Sequence, residues 1–114
     1  MAEQCFVEAL ALYRQHEHGP SLDFANAIRR LAVLKDDAGE MDEAIRLWQE
    51  THDRYIDVNE PMGMAESAAH LALLMHRKGD LSQSREWLDQ ASAAAEASAD
   101  PASLRYVEKV RSQV

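Results

Sequence analysis

Apolar residues recur at three- and four-residue spacing along most of this chain, and the pattern breaks off at regular intervals. Phe24, Ala27, Ile28, Leu31, Ala32 and Leu34 form one such stripe, which runs into Asp36-Asp37-Ala38-Gly39. That spacing gathers them on one face of a helix, and the glycine predicts a left-handed cap at its end. From Met41 a second stripe, Ala44, Ile45, Trp48, Tyr55 and Ile56, predicts a returning helix that stops at Asn59-Glu60-Pro61. The following stretch repeats the scheme. Ala65, Ala68, Ala69, Leu71, Ala72 and Met75 lead to Lys78-Gly79-Asp80, and Leu81, Ser84, Trp87, Leu88 and Ala91 form the return. The Ala-Ser stretch from Ala91 to Ala99 has high helix propensity up to its end and reads as the tail of that helix.

The punctuation is periodic. Gly39 and Gly79 are 40 residues apart, and the three prolines, Pro20, Pro61 and Pro101, are separated by 41 and 40 residues. Each proline precedes a helical pattern. The first helical turn suits it, because the N–H that proline lacks would find no partner there. A shift of 40 superposes Leu31 on Leu71, Ala32 on Ala72, Gly39 on Gly79, Met41 on Leu81, Trp48 on Leu88 and Thr51 on Ala91, large on large and small on small. A fixed period in the range of roughly 20 to 50 residues marks a stacked-repeat architecture, in which no unit buries its apolar face alone. The expected organisation is one all-α domain over 1–114, with a leading helix at 3–18, a first hairpin at 20–58, a second at 61–98 and a capping helix at 101–113.

With Ala32 before the turn, Gly39 in it, Ala44 after it and Trp48 four residues further on, the first hairpin resembles a tetratricopeptide repeat. The second, with Ala72, Gly79, Ser84, Leu88 and Ala91, resembles it too. The pattern has a physical basis: antiparallel helices approach closely only where small side chains face each other, while large ones fill the space between hairpins. The 40-residue period is similar to that of the longer-helix members in kinesin light chains and bacterial regulators, and the likeness covers about residues 22 to 96. Lys35 and Met75 depart from it, standing where the family has an aromatic residue, as does Ser84, which replaces an alanine. The resemblance implies a right-handed superhelix of antiparallel hairpins, a solenoid that binds another protein or a peptide along a concave groove lined by the first helix of each hairpin. It places Asn26, Arg29, Arg30, Val33, Asp36 and Asp37 there from the first repeat, and Glu66, Ala69, His70, Leu73, His76 and Arg77 from the second. Val33 and Leu73 either line that groove or pack on the neighbouring first helix. A subset of the family grips a terminal carboxylate with basic and asparagine side chains. Here Arg29 matches, but Val33 and His70 stand at asparagine positions and Tyr106 and Val110 at basic ones, so an internal, acidic stretch fits better.

Charge narrows the partner class. Twelve Lys and Arg face 20 Asp and Glu, a formal charge of −8, so nucleic acid and anionic membranes are repelled on average. No apolar run approaches the roughly 18 residues of a membrane span, and acids stand where a signal peptide carries positive charge, so a cytoplasmic location is expected. Cys5 lies among Phe6, Val7, Ala9 and Leu10 and is expected to be buried.

Candidate chemistry adds little. His70 and His76 are six apart, and His16-x-His18 sits at a helix end, so neither pair has the four-residue spacing with which one helix chelates a metal. Asp42 and Glu43 favour the start of their helix through its dipole. There is no phosphate-binding glycine loop, no CxxC and no Ser-His-Asp spacing, so neither an enzyme nor a cofactor is expected. Met62, Met64, Met75, Trp48 and Trp87 are at helical spacing and read as core, with Trp87 alternatively an exposed interface anchor. The remaining alternative to a peptide-binding adaptor is a homodimerisation module. The leading helix is apolar over much of its circumference, and Phe6, Leu10 and Tyr13 would form the two-fold interface.

Overall fold

The computed structural model describes residues 21–114, and the leading helix with Cys5, Phe6, Leu10, Tyr13, His16 and His18 lies outside them. The described residues form five α-helices and no strand: α1 (Leu22–Asp37), α2 (Met41–Asp57), α3 (Pro61–Lys78), α4 (Leu81–Ser98) and α5 (Pro101–Gln113). None of the described helices is long and apolar enough to cross a membrane. The chain divides into two compact units, 1–58 and 59–114.

In the first unit α1 and α2 form an antiparallel hairpin. Ser21 caps α1, its Oγ accepting from the Phe24 N–H at 3.2 Å. Pro20, expected in the first turn of this helix, lies outside the described residues. The two helices are tied by the Tyr55 hydroxyl, which donates to Asn26 Oδ1 at 2.6 Å. Their buried residues combine bulky side chains, Phe24, Ile28 and Leu31 from α1 and Ile45, Leu47, Trp48 and Tyr55 from α2, with the small Ala25, Ala32, Ala44 and Thr51. Ile56, expected on the apolar stripe, is 48% exposed because it falls one position past Tyr55, on the outer flank of the helix. Ala27 and Leu34 are half-buried.

The second unit packs three helices around alanine. Ala65, Ala68, Ala69 and Ala72 of α3 meet Leu88, Ala91, Ala94 and Ala95 of α4, and α5 adds Val107 and Val110. Pro61 and Pro101 do open their helices, behind Glu60 and Asp100 caps. Asp80 caps the start of α4, its carboxylate accepting twice from Gln83, at Oδ1 from the backbone N–H at 3.1 Å and at Oδ2 from Nε2 at 3.0 Å. Met75 is buried and Met64 half-buried, whereas Met62, expected in the core, is 50% exposed in the first turn of α3. Leu81 and Leu104 are also exposed, each in the first turn of its helix, ahead of the region where the helices cross.

The two glycine turns are built alike. Gly39 and Gly79 have φ of +78° and +90°. In the first turn the Glu40 N–H reaches Lys35 O at 2.9 Å and the Gly39 N–H reaches Asp36 O at 3.0 Å; in the second, Asp80 reaches Met75 O at 2.9 Å and Gly79 reaches His76 O at 3.1 Å. This paired closure satisfies the last helical carbonyls and requires a left-handed residue. A Cβ at either glycine meets nothing within 4 Å, so glycine is demanded here by conformation and not by space.

Candidate functional site

In the first unit, Asn26, Arg29, Arg30, Val33 and Asp37 follow one another at steps of one, three or four residues on α1, on the side turned away from Phe24, Ile28 and Leu31. They form one continuous strip. Arg30 and Asp37 are exposed, and Asn26, Arg29 and Val33 are half-buried. Asn26 is partly committed, since its carbonyl oxygen accepts the Tyr55 hydroxyl. Nearer the turn, Lys35 Nζ pairs with Glu40 Oε2 at 3.2 Å, so this departure from the family pattern acts as a clasp across the turn.

In the second unit, Glu66, His70, Leu73 and Arg77 form the corresponding strip on α3, with Ala69 buried, His76 half-buried and Arg77 exposed. Here α5 covers part of it. The Tyr106 ring lies against His70 with centroids 5.7 Å apart and planes at 42°, and Leu73 packs on the core that Val107 and Val110 complete. For Leu73, of the two expectations, packing is the one observed. Trp87 is half-buried against the same core and is not a fully exposed anchor.

The sequence placed Tyr106 and Val110 of the capping helix at later groove positions; the contact of the Tyr106 ring with His70 is the part of this face that it did not indicate.

Charge is distributed unevenly between the equivalent turns. Lys35, Asp36, Asp37, Glu40, Asp42, Glu43 and Arg46 surround the first, and His76, Arg77, Lys78, Asp80, Arg85 and Glu86 the second. The acids at 42 and 43 lie in the first turn of α2, where the helix dipole favours them. Among the described residues no group of three or more His, Cys, Asp or Glu side chains is placed to hold a metal ion. His52 is buried in α2, away in sequence and element from His70 and His76 on α3. Each unit thus carries its own strip of mixed charge, on α1 in the first and on α3, partly roofed by α5, in the second. Comparison with family models, with curated proteins and with solved structures finds no match.

Proposed function

We propose that the two hairpins are successive tetratricopeptide-like repeats of a right-handed solenoid, and that the chain is a non-catalytic cytoplasmic adaptor that binds a protein or peptide along its first helices. The observation that carries this reading is the residue-by-residue equivalence of the hairpins. Leu31 and Leu71, Ala32 and Ala72, Ala44 and Ser84, Trp48 and Leu88, Thr51 and Ala91, and Tyr55 and Ala95 are all buried pairs 40 apart, and both turns close with the same hydrogen bonds. Stacked repeats hold a first-helix face in common, and such faces offer extended recognition surfaces.

Arginine suits acidic groups on the ligand, because its planar fork donates two parallel hydrogen bonds to a carboxylate. Arg30 and Arg77 are the two exposed arginines of the strips. An acidic, internal segment of a partner, bound as a helix or an extended strand, is the ligand that this chemistry selects.

The test is capture of a partner from lysate of the source cell by the wild-type chain and by Arg30→Glu/Arg77→Glu. Both side chains are exposed and contribute little to folding, so the helical circular dichroism should be unchanged while capture falls at least about tenfold. Undiminished capture would move the site to another face. A doubled mass in dilute solution, without any partner, would favour the homodimer through Phe6, Leu10 and Tyr13 instead.

A further inference from the structure

We infer that the α3–α4 pair is a helix-accepting surface whose tethered occupant is α5, and that α5 of a second copy can take the same place. This goes beyond the adaptor reading and does not depend on it.

Three observations on the second unit support exchange. First, α5 is lightly held. Of its 13 residues only Val107 and Val110 are buried, whereas α3 buries nine of its residues and α4 five. Around the valines, Tyr106 rests on His70, and Arg111 Nη2 donates to Ser92 Oγ at 2.6 Å in an exposed contact. Second, the surface it leaves is made for a helix. Ala65, Ala69, Ala72, Ala91 and Ala95 share one buried cluster with Val107 and Val110, so the surface offered to α5 is rich in small side chains and takes two apolar knobs three residues apart.

Third, the turn that tethers α5 is strained. Ala99 has φ +54°, in the left-handed region that alanine avoids, while the turn before α3 uses Asn59 at φ +52°. Opening the turn releases that strain at the cost of two hydrogen bonds, Asp100 N–H to Ser98 Oγ and Ala99 N–H to Glu96 O, both 3.2 Å long. Exchange of an identical element between copies re-forms every contact of the closed state, which makes it a low-cost route to a dimer.

The experiment measures binding of a fluorescein-labelled synthetic peptide, residues 99–114, standing for the second copy's α5. It is titrated with the full wild-type chain and with the full Val107→Asp chain, whose own α5 is displaced by the buried charge. A short tether holds α5 at a millimolar effective concentration, so the peptide should bind Val107→Asp at least about tenfold more tightly than wild type. A peptide carrying Val107→Asp and Val110→Asp should bind neither. Equal affinity for both chains, or equal binding of the two peptides, would overturn the inference, as would a helical Val107→Asp chain that binds no peptide. The milder Tyr106→Ala/Arg111→Ala chain, which loosens only the rim of the contact, should give intermediate affinity. Loss of the whole fold in both variants would also overturn it, because a displaceable helix is not one on which α3 and α4 depend.

Discussion

The two hairpins share a period, a turn and a set of buried positions, yet at several equivalent positions they use side chains of very different size. Where the first has Phe24, Ile28, Trp48 and Tyr55, the second has Met64, Ala68, Leu88 and Ala95 at the positions 40 residues later. The backbone plan is therefore not dictated by one set of side-chain volumes. Large side chains hold helices apart and interlock, and small ones let the backbones approach, and both solutions reach interior packing density. In the second unit Val107 and Val110 of α5 join the alanine-rich cluster of α3 and α4 and are buried in it.

The cross-helix hydrogen bonds differ in the same spirit. Tyr55 reaches Asn26 with a long aromatic arm, whereas Ser84 donates to the Ala72 carbonyl at 2.8 Å, a contact open only to a short side chain on a nearby helix. Ser84 replaces the alanine found at position 44, so what reads in the sequence as a departure from the repeat pattern is a hydrogen bond in the structure. The other buried hydroxyls are satisfied within their own helices, Thr51 on Leu47 O and Ser67 on Gly63 O, both at 2.8 Å.

The largest break in the comparison should come from Trp48, which is fully buried. Trp48→Ala removes the largest side chain of the first core and is expected to cost about 3–5 kcal/mol. Urea unfolding checks this: a loss under about 1 kcal/mol would mean that the bulky interior of the first unit collapses freely around the gap and is not interlocked. Next comes an exchange of volumes at equivalent sites. Ala68→Ile places the residue of position 28 into the second hairpin, where the helices leave no room for it, and overpacking should destabilise by about 1–3 kcal/mol. A neutral result would show that the close approach in the second unit is not set by its alanines.

Much of this fold was legible in the sequence because the signals were redundant. Both glycines, the two later prolines and the paired small residues each predict the same boundaries, and α5 begins and ends where the pattern placed it. The misreadings share a cause. Ile56, Met62 and Leu81 are apolar at helical spacing but exposed, and all lie within the first or last turns of their helices, where periodicity continues past the region of contact. In the candidate site the strips on α1 and α3 follow from spacing alone. That Asn26 is held by Tyr55, 29 residues away, and that Tyr106 sits on His70 are long-range pairings to which no local pattern points.

A smaller effect tests the hydrogen bonds. Ser84→Ala copies Ala44 into the second hairpin and deletes the donor to Ala72 O. A typical intramolecular hydrogen bond is worth about 0.5–1.5 kcal/mol net, so a loss in that range is expected, read from the shift in urea midpoint at constant slope. No loss would mean that close packing alone holds α3 to α4.

The smallest effect, and the only stabilising one, concerns the turns between hairpins. Asn59 and Ala99 stand 40 apart, each followed by an acidic N-cap and a proline, and each adopts the left-handed conformation, with φ +52° and +54°. The backbone demand is the same at both sites, and the residue meets it at only one. Asparagine tolerates this region through local hydrogen bonding of its side chain, while for alanine the Cβ crowds the following carbonyl at a cost of roughly 1–2 kcal/mol. Ala99→Asn should recover part of that, about 0.5–1 kcal/mol, without adding the unfolded-chain entropy that Ala99→Gly brings. Differential scanning calorimetry would register a rise of a few degrees in melting temperature. A fall would show that the Ala99 methyl is needed where it stands, and that the strain attributed to this turn is compensated by contacts of the side chain itself.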